Sequence, residues 1–203
     1  YLQFDGYSYR LVPILTPYQS AWDIGRIDTD VAYPLLKETF RYGNIADEGV
    51  LADHFTQYNL RASRAREAFA RVANQLIEEG EKEKALELLD RGLEVLPSPK
   101  LRYSDSNTYP FLEGYYTLGE WEKGDALMND YIETLIQYIE YYLQFDGVQA
   151  SLVNNIIHEK MSSLFELYYL AAYARRDEIV TSLNDYFRTF GYTDEELIMP
   201  GAD

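Results

Sequence analysis

The clearest pattern of hydrophobic and polar positions lies in residues 66–99, and it predicts two amphipathic helices. Apolar residues recur there with helical spacing in two stripes, which are separated by Gly80. The stripes comprise Phe69, Val72, Ala73, Leu76 and Ile77, and then Ala85, Leu88, Leu89, Gly92, Leu93 and Leu96. We therefore predict a helical hairpin in which the small residues Ala73, Ala85 and Gly92 mark the closest approach of the two helices.

Two further helical hairpins are predicted from weaker patterns, at residues 106–141 and 151–190. In its spacing, the hairpin at residues 66–99 resembles the tetratricopeptide repeat, a helix-turn-helix unit of about 34 residues. Hairpins of this class bury a continuous core only when they stack on one another. We therefore predict an all-α fold in which tetratricopeptide-like hairpins form a short solenoid over residues 30–203.

The N-terminal residues 1–29 lack a helical pattern. Two prolines prevent a continuous helix, and the short β-like runs have no strand partners elsewhere in the sequence. We predict that residues 1–29 form an extended N-terminal leader that lies on something else. A helix should follow over residues 30–42, because Asp30 can cap its start, Pro34 stands in its first turn and Gly43 follows its last residue.

The composition excludes several classes of partner. The net charge is −16, so most of the Lys and Arg residues that contacts with nucleic-acid phosphates require are missing, and we expect no nucleic-acid partner. The sequence contains no Cys, which excludes disulfides and thiolate sites. The most apolar helical stretch, residues 131–145, is interrupted by four polar residues. We therefore expect no direct membrane insertion of this chain.

Recognisable catalytic motifs are absent from the sequence. The two histidines, His54 and His158, are far apart in the chain, and no Ser stands in a Gly-x-Ser-x-Gly setting. There is also no glycine-rich phosphate loop. We therefore expect neither a catalytic residue nor a cofactor in this chain.

The acidic pair in GRIDTDV is a weak candidate for chemistry. Asp28 and Asp30 are separated by one residue, a pattern with which many sugar-nucleotide glycosyltransferases hold a divalent metal. Two carboxylates suit a hard cation, so the pair could hold a metal or a sugar phosphate. Alternatively, the pair lies at a predicted helix start, where Asp commonly caps free main-chain N–H groups.

Basic residues are concentrated in RASRAR and the Arg that follows it. Arg61, Arg64 and Arg71 are predicted to share one helical face, and in an acidic protein they could form a local anion site. The alternative is that they form salt bridges with the many acidic residues nearby.

In repeats of the tetratricopeptide class, the first helix of each hairpin lines a concave groove. Transferred to this sequence, the groove would be lined by Glu67, Ala70, Asn74 and Ile77 from the first hairpin, and by Tyr109, Glu113 and Tyr116 from the second. Tyrosines and carboxylates could bind an extended peptide or a glycan. The alternative is that the two tyrosines only pack against the leader.

About three quarters of the chain resembles the C-terminal region of a family of bacterial multi-pass membrane proteins of unknown function, whose membrane half resembles a protein O-mannosyltransferase. The matching stretches are YLQFDGYSYRLVPI, GRIDTDVAYPLLKETFRYGN, NLRASRAREAFARVANQLIEEGEKEKALELLDRGLEVLP and FLEGYYTLGEWEKGDALMNDYIETL. The block GRIDTDV is the most specific of them. The third hairpin and the tail TDEELIMPGAD match poorly.

The resemblance implies a domain at the periplasmic face of the bacterial inner membrane, with its own upstream membrane domain as a partner. Since the chain begins with Tyr1 rather than Met, we expect it to be a piece of a longer protein. Three functions stay open. The domain could be a non-catalytic binding or scaffolding module for a protein, peptide or glycan, it could contribute directly to sugar transfer through Asp28 and Asp30, or it could be a structural cap that stabilises the membrane half.

Overall fold

The structure is a computed structural model of the chain. It describes residues 1–16, 24–62, 64–98 and 100–193. Part of the predicted leader, residues 17–23, and the acidic end of the predicted helical domain, residues 194–203, lie outside the described residues. The chain forms two compact units, Tyr1–Glu120 and Trp121–Asp203.

Helices make up most of the described chain, which confirms the predicted predominance of helix. The helices of the first unit are α1 (Thr29–Pro34), which continues as a π-helical turn (Leu35–Thr39), α2 (His54–Ala62), α3 (Glu67–Glu78), α4 (Lys82–Val95) and α5 (Asp105–Leu118). Those of the second unit are α6 (Trp121–Tyr142), α7 (Gly147–Tyr173) and α8 (Asp177–Thr189). The described part of the leader contains the short strands β1 (Leu2–Phe4), β2 (Tyr9–Leu11) and β3 (Arg26–Ile27).

Helix α3 is the central helix of the first unit, and it packs against α1, α4 and α5. The predicted close approach of α3 and α4 is confirmed, because Ala73 and Ala85 have no exposed surface. A Cβ atom added at Gly92 of α4 would lie 2.9 Å from the Cβ atom of Phe69 in α3. It would lie equally close, 2.9 Å, to the ring of Phe111 in α5. The two helices predicted from the strongest apolar pattern therefore form a hairpin, and α5 packs into the same core.

The strands of the leader pair with one another, forming a small sheet that was not predicted from the sequence. Strand β1 is central, antiparallel to β2 and parallel to β3, and Gln3 lies opposite both Arg10 and Arg26. Gly25 has a φ of +82° and permits the approach of β3 to β1. A Cβ atom at this position would lie 2.5 Å from the main-chain oxygen of Leu2, so glycine is required there.

The leader packs on α3. Phe4 is buried, and the guanidinium carbon of Arg71 in α3 lies 4.3 Å from the centre of its ring. Arg71 also donates a hydrogen bond to the hydroxyl oxygen of Tyr9 at 3.0 Å. The hydroxyl group of Tyr7 donates to the main-chain oxygen of Ala65 at 2.9 Å. Cation–π contact and hydrogen bonds therefore hold the leader in place.

The first helix begins within one residue of its predicted start but ends earlier than predicted. The pattern predicts a helix over residues 30–42, whereas the π-helical turn ends at Thr39 and Phe40 has an extended backbone. Pro34 stands where the α-helix gives way to the wider turn. Pro has no main-chain N–H and therefore interrupts the regular hydrogen bonds of an α-helix. We attribute the change from α-helix to π-helical turn to Pro34.

In the second unit, α7 packs against both α6 and α8. The rings of Phe165 and Phe187 stack with their centres 4.3 Å apart. Asp125 of α6 accepts two hydrogen bonds from the guanidinium group of Arg176, at 2.8 and 2.5 Å. A bidentate ion pair therefore joins α6 to the turn between α7 and α8.

Of the other two predicted hairpins, one lies within a single unit and the other is divided between the two units. The prediction at residues 151–190 corresponds to α7 and α8 of the second unit. The two helices of the prediction at residues 106–141 correspond to α5 and α6, but the boundary between the two units falls between them.

Candidate ligand-binding site

The predicted groove residues of α3 contact other parts of the first unit. Glu67 is buried, and its carboxylate accepts hydrogen bonds from the guanidinium group of Arg64, one of them from Nε at 2.6 Å. Ala70 has no exposed surface. Asn74 donates from Nδ2 to the main-chain oxygen of Pro110 in α5 at 3.4 Å. Glu67 and Ala70 therefore lie in the interior of the unit and not along an open groove.

The predicted groove residues of α5 lie in different environments. Tyr116 is buried, Tyr109 is half-buried and Glu113 is exposed. Neighbouring atoms nevertheless desolvate the carboxyl group of Glu113 and raise its pKa. Of the groove candidates on α5, Tyr109 and Glu113 therefore keep surface that a ligand could reach.

The three predicted anion-binding arginines do not share one helical face, because the chain leaves the helix between α2 and α3. Arg61 lies in the last turn of α2, Arg64 lies in the following turn with a φ of 54°, and Arg71 belongs to α3. Arg64 pairs with Glu67, and Arg71 stacks on Phe4. Arg64 thus forms a salt bridge with a nearby acidic residue, as the alternative to an anion site predicted. Anion binding by the three arginines stays a prediction.

Sequence reasoning missed Arg66, which has no exposed surface. Its guanidinium group donates to the main-chain oxygens of Leu96 and Leu101 and to Oδ1 of Asn107. Desolvation lowers the pKa of Arg66 to about 10. Its role in the first unit is structural, because it ties the connection between α4 and α5 to the start of α3. Nothing in RASRAR distinguishes this arginine from its neighbours.

A polar pocket of about 510 Å³ lies where β3 and α1 meet the turn between α3 and α4. We call it the β3–α1 pocket. Its polar lining includes Arg26, Asp28, Asp30, Tyr33, Glu81 and Lys84. Acidic and basic side chains therefore surround a single aromatic ring at this place in the first unit.

Four charged groups of the β3–α1 pocket form two ion pairs, of which Arg26–Asp28 is half-buried and Lys84–Glu81 is exposed. Nη2 of Arg26 lies 3.0 Å from Oδ2 of Asp28, and Nζ of Lys84 lies 3.1 Å from Oε2 of Glu81. All four side chains keep access to solvent. Exposed ion pairs are worth little in free energy, so these groups can exchange their partners for a ligand at low cost.

Both residues of the predicted acidic pair line the β3–α1 pocket. Asp28 occupies the N-cap position of α1, but its side chain makes no capping hydrogen bond and pairs with Arg26 instead. Asp30 is exposed in the first turn of α1. In the part of the chain that the structure describes, no three His, Asp or Glu side chains are grouped so that they could hold a metal ion. The two carboxylates therefore line the same pocket as the basic groups of Arg26 and Lys84.

Tyr33 is a pocket residue that sequence reasoning missed. Its hydroxyl group donates to the carboxylate of Glu87 in α4 and accepts a hydrogen bond from Nζ of Lys37 at 3.0 Å. Lys37 and Glu87 also pair directly at 2.8 Å, which raises the pKa of Lys37 and lowers that of Glu87. Nζ of Lys84 lies 6.0 Å from the centre of the Tyr33 ring. Glu87 and Lys37 therefore hold the hydroxyl group of Tyr33. The i to i+4 spacing of Tyr33 and Lys37 is the signal that could have indicated this network.

No family model, curated protein or solved structure matches the chain. None of the helices in the described part of the chain combines the length and the apolar composition that a membrane crossing requires.

Proposed function

We propose that the chain is a non-catalytic binding or scaffolding domain that presents a glycan, peptide or protein partner to a membrane glycosyltransferase-like protein. The resemblance carried by GRIDTDV and its flanking stretches supports the link to such a protein. On this proposal the domain lies at the periplasmic face of the bacterial inner membrane, and its own upstream membrane domain is a further partner. Its hairpins would stack as a short tetratricopeptide-like solenoid.

The observation that carries the binding function is the chemistry of the β3–α1 pocket. Its volume of about 510 Å³ lies within the range of small-ligand sites, roughly 300 to 1,000 Å³. Asp28 and Asp30 offer hydrogen-bond acceptors, Arg26 and Lys84 offer donors, and Tyr33 offers an aromatic face. A neutral ligand with many hydroxyl groups can use donors and acceptors at once. Of the three ligand classes, the pocket therefore favours a glycan.

A titration of the ¹⁵N-labelled chain with a mannose disaccharide, followed by NMR, tests this proposal. We expect saturable shifts of the amide signals of Asp30 and Lys84. The variants Asp30→Asn and Lys84→Gln should weaken binding, because each weakens or removes a polar contact with the hydroxyl groups of the sugar. Glu83→Gln is the matched control, since Glu83 is exposed on α4 and does not line the pocket. Shifts that lie elsewhere, or equal binding by all variants, would contradict the proposal.

A second candidate function is a direct contribution to sugar transfer through a metal or sugar-phosphate site at Asp28 and Asp30. The presence of Arg26 and Lys84 in the same pocket favours a phosphate, because both side chains form charge-assisted hydrogen bonds with phosphate oxygens. Calorimetry with Mg²⁺ and Mn²⁺ tests the metal form of this candidate. Tight binding that is lost in Asp28→Asn and Asp30→Asn would favour it over a scaffold alone.

A further inference from the structure

A second cavity of the first unit, also of about 510 Å³, lies between the π-helical turn, the segment that follows it and the C-terminal part of α4. We call it the Arg41 pocket. Its lining includes Lys37, Phe40, Arg41, Tyr42, Arg91 and Glu94. None of its lining residues also lines the β3–α1 pocket, so the two cavities can be tested separately.

Basic residues outnumber acidic ones in the lining of the Arg41 pocket, although the chain has a net charge of −16 and Lys37 of the lining pairs with Glu87 of α4. The lining contains three basic residues and two acidic ones, Glu38 and Glu94. Arg91 pairs with Glu94 at 2.7 Å. Arg41 is exposed, and no ion pair joins it to an acidic residue in the described part of the chain. Arg41 therefore supplies a positive charge that an anionic ligand can bind without displacing a protein carboxylate.

One wall of the Arg41 pocket is aromatic and rigid. Tyr42 donates from its hydroxyl group to the main-chain oxygen of Leu36 at 3.1 Å, and its ring centre lies 5.5 Å from that of Phe69 in the core. The ring of Phe40 lies next to that of Tyr7, with the centres 5.0 Å apart. Because both rings are packed against neighbours, they form a fixed surface for an apolar group that is joined to the anion.

We infer that the Arg41 pocket binds a small organic phosphate, whose phosphate group contacts Arg41 and Arg91 and whose apolar body lies along Phe40 and Tyr42. A guanidinium group matches phosphate oxygens through paired hydrogen bonds. A doubly charged phosphate also attracts the two guanidinium groups more strongly than a singly charged carboxylate does. The volume of the cavity accommodates a phosphate together with a ring.

Phenyl phosphate, inorganic phosphate and benzoate are the probes for an NMR titration of the labelled chain at low ionic strength, where exposed charges are screened least. We expect phenyl phosphate to shift the amide signals of Gly43 and Ala46, two residues of the pocket lining, and to bind more tightly than either other probe. Arg41→Gln and Arg91→Gln should each weaken binding about tenfold, since each removes charge-assisted hydrogen bonds.

Arg175→Gln is the matched control, because Arg175 is an exposed arginine of the second unit. It should bind phenyl phosphate as the wild type does, and so should Asp30→Asn, which alters only the other pocket. Three results would overturn the inference: the absence of saturable shifts, equal losses in Arg41→Gln and Arg175→Gln, or benzoate binding as tight as that of phenyl phosphate. Since Arg41 is exposed, its variant should keep the melting temperature of the wild type.

Discussion

The guanidinium group of Arg66, at the start of α3, donates two hydrogen bonds to the main-chain oxygen of Leu96, just after α4, at 3.0 and 2.5 Å. It also donates to the main-chain oxygen of Leu101 at 2.5 Å. Arg66, Leu96 and Leu101 are all buried, so water cannot replace the guanidinium group as donor. One side chain thus fixes the end of α4 and the connection that leads to α5.

Arg66→Met should lower the free energy of unfolding by about 3 kcal/mol. The variant leaves two buried carbonyl groups without their donor, and each such group costs about 1–3 kcal/mol. Urea denaturation followed by circular dichroism measures the change. Arg61→Met is the control, because Arg61 is exposed at the end of α2 and its loss should change stability by about 0.5 kcal/mol or less. Equal stability of the two variants would show that the buried hydrogen bonds contribute little.

The close approach of α3 and α4 at Gly92 leads to a second prediction. In Gly92→Ala the new Cβ atom would meet both Phe69 and Phe111 at 2.9 Å, so the core must shift. We expect a net loss of about 1–3 kcal/mol, even though Ala is the better helix former. Differential scanning calorimetry measures the effect. Gly49→Ala should show no comparable loss, because a Cβ atom at Gly49 would meet nothing within 4 Å.

The helical part of the first unit could be predicted because its pattern is long and regular. Eleven residues in two helical stripes, with Gly80 between them, suffice to indicate a hairpin, and Gly92 also indicated its closest contact. The leader sheet could not be predicted, because its strands have only two or three residues and show too little alternation. The π-helical turn was missed for a similar reason, since apolar spacing does not distinguish it from the end of an α-helix.

Only some residues of the β3–α1 pocket could be predicted from the sequence. Asp28 and Asp30 were predicted from a short local pattern, whereas Lys84 comes to the same pocket from α4 and belongs to no local motif. Glu67 was placed on an open groove by transfer from the repeat class. That transfer failed, because the pairing of Glu67 with Arg64 and the packing around α3 depend on tertiary contacts that a repeat pattern does not contain.

Two tyrosine hydroxyl groups should make the protein sensitive to alkaline pH. Desolvation raises the pKa of Tyr115 and of Tyr7 in the folded chain above the ordinary value of 10.0. The stability that these groups contribute is therefore complete below about pH 10 and is lost as the pH rises above it, because the unfolded chain ionises first. Tyr115 also donates a hydrogen bond to Oδ1 of Asp90 at 3.0 Å.

Urea midpoints at pH 8 and pH 11 test this pH dependence. Tyr115→Phe should be less stable than the wild type at pH 8 but should lose less stability between the two values, since it lacks the ionising group. Tyr141→Phe is the control, because Tyr141 is exposed on α6. An identical loss between pH 8 and pH 11 in the wild type and Tyr115→Phe would contradict the assignment to Tyr115.

The attachment of the leader to α3 through Arg71 gives the last prediction. Arg71→Leu removes the cation–π contact with Phe4 and the hydrogen bond to Tyr9, so the leader should open more often while α3 stays folded. Hydrogen exchange reports this opening at the amide of Val12, which donates to the main-chain oxygen of Tyr1 at 2.9 Å. A contact worth about 0.5–2 kcal/mol predicts exchange that is about 2- to 30-fold faster there. Exchange at Ala73 in α3 should not change, and Arg175→Leu should leave both amides as in the wild type. Unchanged exchange at Val12 in Arg71→Leu would mean that the strand pairing alone holds the leader in place.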